Sequence, residues 1–303
     1  MSTRGRKLKA VSHFFLRLKS QPIEIALFLC ASFTIVILFL MLFFVTREGA
    51  LAFSRFGREL LFGMKWDLNS NLFGGFPLLY GSFMVTVGAL LISIPLGVCT
   101  AIFIAEVLPF SLKDVVKSAI ELLASIPSVI YGFIGLIAIV PVVSSALGLV
   151  SGQCALTASI VLAIMTIPTI VSVSGEIIAA VPKDYKEAAL ALGATRWQTI
   201  KSVVLPLSKS GILASIMLGF GRAIGETIAV SMIAGNQAHV PTPPWNYLEA
   251  VYTIPAFIAI HMGEAPVGSL EYSALFGLGL ILLIITFLVN TLADIVVKRG
   301  VTR

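Results

Sequence analysis

Charge is what this 303-residue chain has least of. Asp, Glu, Lys and Arg make up 12% of it, against about 25% in an ordinary soluble domain. With 58% hydrophobic residues beside so little charge, its surface cannot be wetted, and solvation by a bilayer is what remains. Cysteine is scarce too. Cys30, Cys99 and Cys154 are odd in number and far apart, which excludes a disulfide or metal framework and leaves them as small packing residues. The sequence has no His-Glu-x-x-His, no Gly-x-Ser-x-Gly and no aspartate cluster, which argues against a membrane enzyme. It also lacks a Gly-x-x-x-x-Gly-Lys-Ser/Thr phosphate cradle, so it cannot hydrolyse ATP by that route. His239 and His261 have no metal-ligand spacing. No internal repeat, low-complexity tract or linker interrupts the chain.

What it does have is long apolar runs. A bilayer span needs about 20 mostly apolar residues, and six windows qualify: Ile25–Val45, Tyr80–Ala105, Leu122–Val143, Ala155–Ile178, Gly211–Ala234 and Ser273–Val297. In lipid each must be a helix, since only a helix satisfies its own backbone groups. The predicted fold class is therefore an all-α membrane protein with six transmembrane helices. The first apolar run is longer than the core of a secretory signal, and no small-residue cleavage site follows Val45, so it reads as a retained span. Pro95, Pro127 and Pro168 fall in consecutive spans. Pro127 is expected to kink its helix and free a carbonyl.

The formal charge of +6 is distributed by topology. Sixteen of the 21 Lys and Arg lie before span one, between spans two and three, between spans four and five, or after span six. Four (Arg47, Arg55, Arg58, Lys65) lie in one loop on the other side, and residues 236–271 hold none. This positive-inside bias predicts both termini in the cytoplasm. The basic balance thus records orientation, with no nucleic-acid partner implied. The expected organisation is a basic N-terminus over residues 1–24, a peripheral first span over 25–45, an external loop over 46–79, a membrane domain over 80–297 and a cytoplasmic tail over 298–303.

Between spans four and five lies a polar stretch. Pro182 suits the first turn of a short helix over residues 183–192, and Gly193 suits the left-handed residue just past its end. Thr195-Arg196-Trp197-Gln198 reads as a capping box opening a second helix, expected to run to Val204 and stop at Pro206. Ala188, Ala189 and Ala191 beside Gly193 form a small face that another protein can approach closely.

Span five carries Arg222 and Glu226 inside an apolar segment. A charge at the bilayer centre costs about 2.5–3.5 kcal/mol on insertion scales. Four residues apart, the two are expected on one helix face, partly neutralising each other, beside a small stripe of Gly221, Gly225 and Ala229. The planar fork of arginine matches a tetrahedral oxyanion. Glu226 would then be the alternative partner that holds the guanidinium when no anion is present.

The string Glu187-Ala188-Ala189, three residues, Gly193, nine residues, Val203, one residue, Leu205-Pro206 resembles the signature loop of permease subunits of binding-protein-dependent ABC importers, with valine where that family usually has isoleucine. The resemblance covers roughly residues 80–297. It implies that Glu187, Ala188, Ala189, Gly193, Leu205 and Pro206 form a coupling helix seated on a separate ATPase, which would hold the ATP and Mg; this chain itself needs no cofactor. Gly221 to Val230, followed by Gly235-Asn236, is similar to the phosphate branch of that family, as is Ile126 to Gly132. This implies a substrate pathway at Arg222, Glu226 and Thr227. It also implies three partners besides the bilayer: a second homologous permease subunit, a dimeric ATPase subunit and an external phosphate-binding protein. A sulfate or molybdate permease is the alternative, although that branch tends to have Phe-Gly where this chain has Thr227-Ile228. A self-sufficient secondary anion transporter is a weaker one, since it would not need the loop from Glu187 to Pro206 and usually shows internal repeats.

Overall fold

The computed structural model describes residues 22–301. The basic residues expected before Gln21, and Arg303, lie outside them. The described chain is almost wholly helical. Helix α1 (Pro22–Phe56) is followed by a short α2 (Glu59–Phe62) and a two-stranded hairpin, β1 (Trp66–Asp67) with β2 (Leu72–Phe73), paired Trp66 to Phe73 and Asp67 to Leu72. Then come α3 (Phe76–Ile102), α4 (Phe110–Ser125), α5 (Ser128–Ile134), α6 (Val140–Leu147) and α7 (Ala155–Ala179). The second half holds α8 (Lys183–Ala191), α9 (Arg196–Thr199), α10 (Leu205–Ile224), α11 (Ile228–Ile233), α12 (Ile254–His261) and α13 (Leu270–Val301). Three wider π-helical turns, Phe103–Val107, Gly135–Ile139 and Ile200–Val204, extend α3, join α5 to α6 and join α9 to α10.

Six helical segments among the described residues are long and apolar enough to cross a membrane. Their bounds differ most from the sequence windows in three places. Span one continues as helix to Phe56, through the start of the expected external loop, because Gly49 lets that extension pack on Phe276 and Leu280 of α13. Span three is Ser128–Leu147, not Leu122–Val143. At Ile126-Pro127 the helix breaks outright, with both residues extended. Pro127 has no N–H for the Leu123 carbonyl four residues back, and the Tyr131 hydroxyl donates to that oxygen at 2.8 Å. Pro95 and Pro168, by contrast, stay inside continuous helices.

The third difference is span five, which ends at Ile224 rather than Ala234 and starts as early as Arg196. Pro206 does not stop the preceding helix. It sits in the first turn of α10, just beyond the π turn, where a missing donor and a wide turn tolerate the ring.

Helix α7 is the centre of the molecule and the most buried span. It packs between α3 and α10, with Ala155, Ala158, Val161, Leu162 and Met165 in the main core. A second core of Leu60, Phe73, Leu78, Phe257, Leu275 and Leu278 joins the hairpin, α12 and α13. It lies at the end that also holds the proline-rich segment from Asn236 onward. The opposite end carries Lys113, Lys117, Lys183, Lys186 and Lys201, and is called here the basic end. Apolar side chains cover much of the outside of α1, α3, α5 and α13, the surface that lipid or another hydrophobic partner must cover.

Candidate functional site

Two places hold the residues singled out by sequence. The first is the segment from Lys183 to Val204 at the basic end. Helix α8 begins after Pro182 and ends in a Schellman motif. Gly193 takes φ +84, its N–H donates to Leu190 O at 3.0 Å, and the Ala194 N–H donates to Ala189 O at 3.1 Å. The capping box then forms as expected: the Gln198 N–H donates to Thr195 Oγ1 at 3.3 Å, and the Thr195 N–H donates to Gln198 Oε1 at 2.7 Å. No residue of α8 is buried. Glu187, Ala188, Ala191 and Gly193 are exposed, Ala189 and Leu205 half-buried, and Pro206 exposed. Sequence reasoning overlooked the larger apolar groups around them. Tyr185, Leu192 and Trp197 are 58%, 90% and 64% exposed. Large apolar side chains so open to solvent, on an otherwise polar segment, were the available signal.

The second place is the break in span five. Helix α10 ends at Ile224, and α11 restarts at Ile228. Gly225, a poor helix former, lies at the end. The side chains of the next two residues satisfy the backbone groups that the break frees. The Thr227 hydroxyl donates to Gly225 O at 3.0 Å, and Glu226 Oε1 accepts from the Ala229 N–H at 3.2 Å. This corrects the expected pairing. Arg222 and Glu226 do not share one helix face, and among the described residues no ion pair joins them. Glu226 caps α11 instead. The half-buried Arg222 donates from Nη1 to Thr169 Oγ1 of α7, at a long 3.5 Å. A cation in the last turn of α10 is favoured there by the helix dipole.

The small stripe is also only partly used. A Cβ at Gly221 would meet nothing within 4 Å, and at Gly225 only its own helix's carbonyl. Ala229 does pack closely: a Cβ on Gly132 of α5 would lie 2.8 Å from the Ala229 Cα. So α5 approaches α11 backbone to backbone, placing Tyr131 in the same core cluster as Ala223 and Ala229. The far end of α11 is tied by Gln153 Nε2, which donates to Met232 O at 2.9 Å, and by Asn236 Nδ2, which donates to Ser231 O at 2.7 Å. Thr169, Tyr131 and Gln153 are the neighbours that sequence reasoning missed. Tyr131 lies in a stretch the sequence did mark, Ile126 to Gly132, but nothing local says that it, Thr169 or Gln153 would meet these helices from other elements.

Among the described residues the arrangement presents a guanidinium with one long hydrogen bond, inside a helical bundle, on a helix that runs unbroken from the capping box at Thr195. Comparison with known proteins identifies the family. Residues 93–300 match the family described as binding-protein-dependent transport system inner membrane component. The chain is 40% identical over 232 residues to the probable ABC transporter permease protein YqgH of Bacillus subtilis, covering 76% of this chain and 74% of that one. It is 36% identical over 267 residues to the phosphate transport system permease protein PstC of Mesorhizobium japonicum, covering 82% and 80%. In fold it is similar to a chain of a bacterial alginate ABC transporter solved in complex with an alginate-bound periplasmic protein. The TM-score is 0.62 at 17% identity, over 93% of this chain and 97% of that one. With both the family match and the relatives spanning most of it, this chain belongs to the inner-membrane permease components of binding-protein-dependent ABC transport systems.

Proposed function

We propose that this chain is the permease subunit of an ABC importer that moves inorganic phosphate across the cytoplasmic membrane of a prokaryote, both termini facing the cytoplasm. The observation that carries the anion assignment is Arg222. It lies at the end of a membrane-crossing helix with no carboxylate in ion-pair range among the described residues and one long bond to Thr169. An uncompensated charge there is costly, and a tetrahedral oxyanion returns that cost through two parallel charged hydrogen bonds. The anion needs the same compensation, since it leaves water to cross. Thr169 brings a hydroxyl to that fork. The PstC relatives favour phosphate over sulfate and molybdate.

The energy comes from a separate dimeric ATPase subunit, which binds ATP and Mg and takes the α8–α9 segment, with Glu187, Ala188 and Gly193, into its groove. A second homologous permease subunit completes the pore, and an external phosphate-binding protein delivers the anion. The test is ATP hydrolysis by the reconstituted complex with its binding protein. Phosphate is expected to stimulate it, with sulfate and molybdate near background. Stimulation by sulfate or molybdate and not by phosphate would move the chain to the other oxyanion branch.

A further inference from the structure

Lys186 and Glu106 stand 80 residues apart and meet at the basic end, where Lys186 Nζ donates to Glu106 Oε1 at 2.7 Å. Their side chains are only 20% and 13% exposed. The other two ion pairs among the described residues are far more open: Lys117 with Glu176 at 51% and 65%, and His239 with Glu249 at 40% and 31%. A shielded pair is weak evidence for stability, because desolvation cancels much of its attraction. What it does provide is a defined position, and its surroundings say for what.

Helix α8 buries none of its residues. Its main packing neighbours are α9 and the π turn Ile200–Val204, which are its own continuation along the chain. Among the described residues, Lys186 makes the one side-chain hydrogen bond from α8 to a remote element. Glu106 sits in the π turn Phe103–Val107, which closes span two. That turn is itself held, since Lys113 Nζ of α4 donates to Ala105 O at 2.6 Å. From there α4 runs to the break at Pro127, where Tyr131 bonds back to Leu123 O. The pair therefore bridges an exposed, loosely attached helix to the junction of span two and α4.

We propose that the Lys186–Glu106 ion pair is a positioning strut, transmitting displacement of α8 to span two and α4. It rests on the reading of α8 as the ATPase-docking helix. The strut adds a second route into the membrane domain beside the continuous helix from Arg196 to Ile224, one that enters through span two and α4 rather than through the helix that carries Arg222.

The test uses the assembled transporter in proteoliposomes, measuring phosphate uptake and ATP hydrolysis together. Glu106→Lys and Lys186→Glu each place like charges at the contact. Each is expected to lower phosphate carried per ATP hydrolysed by about tenfold, the scale of a one-sided loss in a shielded pair discounted for its residual solvent contact. The double variant with both charges swapped is expected to return within about twofold of the parent. If a charge variant does not assemble, Glu106→Gln with Lys186→Gln removes the pair without repulsion, and the same fall in the ratio is expected. A parental ratio in the single or neutral variants, or a swapped double no better than the singles, overturns the strut. Ala188→Arg on the exposed face of α8 is a separate arm. If it leaves ATPase co-purification and uptake unchanged, the docking reading fails, whatever the charge variants do.

Discussion

Two interruptions of helix, one at Gly193 and one at Gly225, solve the same problem in opposite ways. Each leaves backbone groups without partners inside or beside a long helical path. At Gly193 every partner lies within five residues: Ala189, Leu190, Thr195 and Gln198 close the turn among themselves. At Gly225 the local groups Glu226 and Thr227 do part of it. Around it the ties reach further: the Arg222 side chain donates to Thr169 of α7, and the far end of α11 is held by Gln153 on Met232 O and by the Val251 N–H on Ala234 O at 2.9 Å. A self-contained turn can move as a unit at the surface. A break whose flanking helices are tied to remote parts of the chain is held in place, and suits a site whose geometry has to be kept.

The largest effect that would sharpen this contrast is at the stitched break. Arg222→Gln is expected to lower phosphate uptake by about a hundredfold or more, because it removes the charged fork the anion needs. Assembly should be retained, since Glu226 does not depend on Arg222. Arg222→Lys keeps charge without the fork and should fall between. Uptake assays at matched permease levels decide it, and parental uptake by the glutamine variant would place the anion elsewhere.

Next comes the self-contained turn. Gly193→Val forces a β-branched residue to φ +84, a strain of about 1–2 kcal/mol or more. A Cβ there meets nothing within 4 Å, so the cost is conformational alone, and Gly193→Asn should be milder. The expected readout is weaker co-purification of the ATPase with normal membrane insertion. Equal loss in the valine and asparagine variants would show that the surface, not the backbone conformation, is what matters.

Glu226 separates a cap from a counter-ion. Glu226→Ala removes the acceptor of the Ala229 N–H and should cost about 1 kcal/mol, read as a lower melting temperature of the purified permease. Glu226→Gln keeps an acceptor and should stay close to the parent. A glutamine variant as damaged as the alanine one would mean that charge, and hence pairing with Arg222 in another state, is at work.

The smallest effect expected is with pH, in the loop above the break. The Glu249 carboxyl is held below the ordinary glutamate range, chiefly by its hydrogen bond with the His239 ring, and further by the Thr242 N–H and Asn246, against some desolvation. A depressed carboxylate contributes stability that is complete above the ordinary value and lost as pH falls through the lower folded one. The hydrogen-exchange protection of residues 237–249, corrected for the pH dependence of intrinsic exchange, should therefore hold from neutral pH down to the ordinary carboxylate range and fall progressively below it. A fall in protection already at pH well above the ordinary carboxylate range would show that the Glu249 carboxylate is not what holds this loop.

What the sequence determined by itself is what short-range chemistry controls. Six apolar runs had to be helices in lipid, and six such helices are present among the described residues. Gly193 at positive φ, the capping box at Thr195 and the start of α8 at Lys183 all depend on residues a few positions away, so local sequence was enough. Where a local rule met a distant partner, it failed. Pro206 was expected to end a helix and instead begins one, because the π turn before it absorbs the missing donor. Arg222 and Glu226 were expected to pair at four-residue spacing, yet the helix ends between them. Only the tertiary structure decided that Arg222 meets Thr169, that Tyr131 fills the carbonyl freed by Pro127, and that Lys186 reaches Glu106. These contacts span 53, 8 and 80 residues. The two long ones exist because packing around α7 brings separate helices to a few ångströms, and no periodicity along the chain encodes them. The shorter one crosses a break whose sharpness the proline alone did not specify.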